Sequence, residues 1–120
     1  MNVRMRALAG HYAVARLAAD APIPSWIRGN FVSITRTGDE LSIVCDDDAI
    51  PNDVRAERNF RALVVEGPIP FDVVGVAAAI TSALAAEKIS VFFVSTFDTD
   101  YVLVKNNFFD RACRVLQVER

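Results

Sequence analysis

The sequence predicts an α+β fold: one sheet carrying its helices on one side. Three observations predict it. Short runs alternate apolar and polar residues between turn residues. One long run repeats apolar residues at helical spacing. The pattern of residues 31–44 returns in residues 91–104.

The elements follow in order. Leu8–Leu17 contains Tyr12, Val14 and Leu17 and reads as a first strand. Pro22 and Pro24 then punctuate the chain, so Ser25–Arg28 has room only for a short helical turn. Phe31–Arg36 alternates Phe31, Ser33 and Thr35 against Val32 and Ile34, as a strand does. Thr37-Gly38-Asp39 is a tight turn, and Leu41–Cys45 is the returning strand. Asp46, Asp47 and Asp48 end it, because aspartate is poor in strands and good in turns. Ile50–Arg58 is a polar connector, and Arg55, Arg58 and Arg61 alternate with Glu57 and Phe60 as a solvated face.

Phe60–Val65 is an apolar strand stopped by Glu66-Gly67-Pro68. Phe71–Ala86 is the long helix, with Val73, Ala77, Ile80 and Leu84 on its buried face. Ile89–Ser95 is a strand, Asp98–Asp100 a turn, and Tyr101–Lys105 the return. Asn107 with Asp110 resembles a helix cap. The last helix, Phe108–Gln117, repeats Phe108, Ala112 and Val115 on one face. A sixty-residue offset lays Glu40–Val44 over Asp100–Val104, so the halves echo one another. Strand–helix–strand crossovers with antiparallel hairpins place the chain in the ferredoxin-like class. The first half lacks a long helix, and its bare sheet face needs a cover, most simply the other half or a second chain.

Composition narrows the function. Hydrophobic residues make up 52% of 120, enough for a real core with apolar surface left for a partner. The net charge of −2 has no Lys/Arg run behind it, so no nucleic-acid surface is expected. Val73–Ala86 is too short and too alanine-rich to span a bilayer, so no membrane is expected. Met1–Arg6 holds two arginines but no apolar stretch follows, which does not read as a signal peptide. Cys45 and Cys113 lie in no CxxC and near no histidine; they read as reduced, packed thiols of a cytoplasmic protein, not zinc ligands.

The motifs carry a resemblance. Glu66-Gly67-Pro68-Ile69-Pro70-Phe71 leads into a helix with Gly75, and Ser95-Thr96-Phe97-Asp98-Thr99-Asp100-Tyr101 follows one strand later. In the first half, Ile34–Val44 follows Ile23-Pro24-Ser25-Trp26. Together these resemble bacterial ACT-domain proteins similar to the CASTOR amino-acid sensors and to aspartate kinase regulatory regions. The resemblance implies two tandem ACT-type halves: a degenerate N-terminal half over 1–59 and a C-terminal ACT half over 60–120. It also implies an amino acid bound between ACT units, homo-oligomer formation (a dimer), and a separate partner protein as whatever is regulated. It implies no catalysis and no cofactor.

A free amino acid needs two opposed anchors. Its carboxylate fits the unpaired N–H groups and dipole of a helix N-terminus, here Phe71, Asp72 and Gly75. Its ammonium fits acceptors, here Thr96, Asp98 and Asp100, with Phe97 beside them. The plainer reading stands alongside: Gly75 permits close helix–sheet packing, and Asp98-Thr99-Asp100 is an ordinary hairpin turn. His11 lacks a nucleophile or carboxylate partner in sequence, and Asp46–Asp48 lacks the glycine and distal glutamate of a calcium loop. Trp26 reads as a hydrophobic plug where the long helix is missing. No nucleophile–base pair, metal cluster or phosphate loop appears, so an enzyme is the least favoured reading. A ligand-binding regulatory module comes first, and a dimerisation or adaptor protein without a ligand is the alternative.

Overall fold

The structure is a computed structural model that describes residues 3–70 and 73–119. By contact the chain divides into two units. Residues 10–60 form one; the N-terminal residues up to Ala9, together with 61 onward, form the other. The expected strand Leu8–Leu17 shortens to β2 (Tyr12–Leu17), and a separate strand the sequence did not suggest, β1 (Met5–Ala7), comes before it. Gly10, at φ +90, breaks the run between them.

In the unit of residues 10–60, β2 pairs antiparallel with β4 (Leu41–Asp46), and β4 pairs with β3 (Ser33–Arg36). The first residues of β5 (Ala56–Val65) pair with the other side of β2. β4 therefore lies between β2 and β3, so the chain crosses over from β2 to β3 through residues 18–32, without an α-helix. Ala13, Ala15, Leu41, Ile43 and Cys45 share one sheet face. Ala49, Ile50, Trp26, Ile27, Ala21 and Val54 cover that face. Trp26 is the plug the sequence suggested, and the unit covers much of this face from its own connectors. Ile34 on the edge strand β3 and Val32 just before it remain 41% and 40% exposed.

The connectors are tied by charge. Arg58 is half-buried and donates to the Asp47 carboxylate and carbonyl (3.0 Å each) and to the carbonyls of Ile50 (3.1 Å) and Pro51 (2.9 Å). Asp47 also accepts the Asn59 N–H at 2.6 Å, and Asp48 pairs with Arg28 at 3.2 Å. Two expectations are corrected here. Arg58 is a clamp, not part of a solvated face, and Asp47 is its partner, not a solvated strand end. A planar five-donor guanidinium gathers three carbonyls of the irregular connector, two of which, those of Asp47 and Pro51, also accept backbone N–H groups.

In the other unit β1 pairs antiparallel with the end of β5, and β5 neighbours β7 (Asp100–Lys105). β7 in turn pairs antiparallel with β6 (Phe92–Ser95). Helices α1 (Val76–Ala86) and α2 (Phe109–Leu116) share one hydrophobic core with this sheet. Ile80 and Leu84 of α1 are fully buried against Leu63 and Val65 of β5 and Val102 and Val104 of β7. Each such side chain contributes roughly 1.5–3 kcal/mol of burial. With helices on one face of an antiparallel sheet, this is the ferredoxin-like arrangement expected.

Both helix faces differ from expectation. α1 starts at Val76, so Val73 precedes it, 47% exposed, and Ala77 faces outward. The buried stripe is Val76, Ile80, Ala83 and Leu84. In α2 the stripe is Phe109, Ala112, Cys113 and Leu116, with Phe108 and Val115 half-buried at its margin. A short 3-10 turn, Asn106–Phe108, comes first and rotates the stripe by one residue. Asn107 sits inside that turn and does not cap the helix.

The echo between residues 33–49 and 92–108 follows an offset of 59 rather than sixty. Shifting by 59 carries Ser33–Arg36 onto Phe92–Ser95, Leu41–Asp46 onto Asp100–Lys105, and Asp47–Ala49 onto Asn106–Phe108. The strand register shifts with them: Arg36 faces Leu41, and Ser95 faces Asp100. The turn bonds match too. The Thr37 N–H donates to the Glu40 carbonyl (2.9 Å) and the Thr96 N–H to that of Thr99 (2.8 Å).

Candidate functional site

The site begins where α1 starts. Gly75 caps α1 at φ +90, ψ −5, with no side chain to bond the helix N–H groups. The first helical bond runs from the Ala79 N–H to the Gly75 carbonyl at 2.9 Å. The N–H groups of Val76, Ala77 and Ala78 therefore have no intrahelical acceptor, and the helix dipole makes this end attractive to an anion.

Opposite stands the β6–β7 turn. Ser95 donates to the Asp100 carboxylate at 2.6 Å. The Thr96 hydroxyl is engaged within the turn, 3.1 Å from the Thr99 carbonyl and 3.3 Å from the Thr99 N–H. The turn is stitched to the end of β5: the Thr99 hydroxyl donates to the Val65 carbonyl (2.5 Å), and the Ile69 N–H to the Asp98 carbonyl (2.7 Å). Asp98 and Phe97 are exposed, Phe97 to 78%.

Between helix start and turn lies an open cleft of about 250 Å³. Gly75, Thr96, Phe97, Asp98 and Asp100 of the predicted set all line it. Phe71 and Asp72 lie outside the described residues. Sequence reading missed Ala77 and Ala78, which also line it, because it started the helix at Phe71; the glycine at 75 was the signal for a later start. The turn is also an ordinary hairpin turn in one respect, since the Thr96 hydroxyl satisfies its own backbone. Among the described lining residues the charged groups are the carboxylates Asp98 and Asp100, and none is basic.

His11 is exposed, and its carbonyl accepts the Asp47 N–H at 3.0 Å. Among the described residues no group of three His, Cys, Asp or Glu is placed to hold a metal ion. No described helix is long and apolar enough to cross a membrane.

Residues 55–118 match the ACT-domain family. The chain belongs to the ACT-domain family. A separate N-terminal-domain family matches residues 10–53. The human cytosolic arginine sensor for mTORC1, subunit 1, is 30% identical over 115 residues, spanning 89% of this chain and 34% of that protein. The chain thus spans about a third of the length of this relative. A crystallised protein from Agobacterium tumefaciens is 40% identical with a TM-score of 0.92, covering 100% of this chain and 96% of its own. The regulatory subunit of aspartate kinase from Thermus thermophilus shares the fold at a TM-score of 0.62 and 10% identity, covering 90% and 91%. This ACT chain is thus similar to both kinds of protein its motifs resemble.

Proposed function

We propose that this ACT protein is a non-catalytic regulatory module that binds a free amino acid in the cleft of its C-terminal half. The observation that carries the reading is the pairing of unlike anchors across one cleft. Uncapped helix N–H groups at Val76–Ala78 suit a carboxylate; the carboxylates of Asp98 and Asp100 suit an ammonium. The relative named as an arginine sensor supports an amino acid as the ligand class. Phe71 and Asp72, just before the helix, complete the proposed ligand-binding set with Gly75, Thr96 and Phe97. The module is a homodimer in this reading, because Val73, Val74 and Phe97 leave apolar surface 47%, 91% and 78% exposed near the cleft. A separate partner protein reads the bound state. Its place is the cytoplasm, consistent with two free cysteines and a relative named as cytosolic. The halves we assign to 1–59 and 60–120 share β5, and the N-terminal strand β1 serves the second of them.

A thermal-shift screen of the twenty amino acids tests the reading. A ligand at a hundred times its Kd stabilises by about 2.7 kcal/mol, a readable rise in Tm. Asp98→Ala should abolish the rise while leaving the unliganded Tm nearly unchanged, since Asp98 is exposed. No rise with any amino acid at millimolar concentration refutes the reading and leaves the adaptor alternative.

A further inference from the structure

The two halves treat the same place differently. Under the 59-residue correspondence, cleft-lining Ser95 matches Arg36. Counting from the ends of the first strands, Leu17 and Val65, cleft-lining Ile69 matches Ala21. In the second half these positions border an open cleft. In the first half a side chain spans them: the Arg36 guanidinium donates to the Ala19 carbonyl and, at 2.8 Å, to the Ala21 carbonyl. The turn carbonyls differ likewise. The Asp98 carbonyl accepts the Ile69 N–H, whereas its counterpart, Asp39, accepts the Arg16 guanidinium at 2.9 Å.

We infer that Arg36 is a built-in occupant of the first half: its guanidinium fills the counterpart of the second-half cleft and ties residues 18–21 to the β3–β4 hairpin. The reason lies in the missing helix. Without α1 the crossover of residues 18–32 has no helical bonds to consume its carbonyls, and those of Ala19 and Ala21 take their donors from the exposed Arg36 side chain. A forked, permanently charged guanidinium satisfies both at once, which a serine hydroxyl at this position cannot. The first half is thereby closed by its own chain, and a ligand enters only the second. That last step rests on the proposed function; the role of Arg36 in the first half does not.

Hydrogen exchange followed by mass spectrometry tests it on the full chain. Arg36→Ala should speed amide exchange in residues 18–32 by roughly tenfold, the order expected on losing charge-assisted hydrogen bonds, with β7 and α2 unchanged. Millimolar methylguanidinium, which presents the same fork, should slow that exchange again. Arg36→Gln gives the same reading if truncation to alanine unfolds the chain. Unchanged exchange in residues 18–32, or faster exchange that methylguanidinium does not reverse, overturns the inference. A failed amino-acid screen on the unmodified protein would refute the proposed function and leave these outcomes as they are.

Discussion

Arg58→Ala should be among the most costly polar substitutions in the unit of residues 10–60. Arg58 makes four bonds of 2.9–3.1 Å, three of them to backbone carbonyls. Truncation leaves the carbonyls of Asp47, Ile50 and Pro51 without this donor and strips Asp47 of its cation. Hydrogen bonds to a charged group are worth about 1.5–3 kcal/mol each, but bonds from one side chain do not add. Arg58 and Asp47 are 32% and 23% exposed, so water recovers part of the loss. The net cost should be about 2 kcal/mol, a fall in Tm of roughly 8 °C for a chain of this size. Arg58→Lys should recover only part, because an ammonium is a point charge that cannot reach the same spread of acceptors. Urea unfolding measures both, with the m-value checked for constancy. A loss below about 0.5 kcal/mol for Arg58→Ala would refute the clamp and restore the solvated-face reading.

Three further outcomes follow. Ile80→Ala and Leu84→Ala, both fully buried, should each cost about 2–5 kcal/mol in urea unfolding, while Ala77→Ser on the outward face should cost under about 1 kcal/mol. Gly75→Ala should destabilise by about 1 kcal/mol through its backbone alone, since no atom of the described residues lies within 4 Å of the added Cβ; Gly38→Ala, equally open among the described residues but without a positive φ, should be neutral in the same thermal melt. Burial pushes the Cys45 thiol above its ordinary value, so the folded chain holds this proton after the unfolded chain has released it. The Cys45 contribution is therefore intact below the ordinary cysteine range, about 8.5, and is lost as pH rises through the folded value. Urea midpoints taken from neutral to alkaline pH should fall less steeply in Cys45→Ala than in the parent; equal slopes would contradict it.

Much of this protein is legible in local residue patterns. Alternation in residues 31–44 and 91–104, with Thr-led turns between, placed both hairpins, because strand period and turn chemistry are local properties. The residues alone left Thr96–Asp100 open as an ordinary hairpin turn, and the resemblance singled it out with Gly75; the two line one cleft in the structure. Residues 73–86 show the limit. Helical periodicity extends back through Val73, but the left-handed backbone at Gly75 moves the start to Val76 and brings Ala77 and Ala78 to the cleft. The pairing partners, by contrast, come from the folded arrangement. β1 belongs beside the end of β5, the Arg58 guanidinium gathers the carbonyls of an irregular connector, and Arg36 stands where its counterpart is a serine. The physical reason is common to all three. Each depends on which backbone groups the fold brings within reach, and that is fixed by strand order and by the absence of a helix, not by any short stretch of sequence.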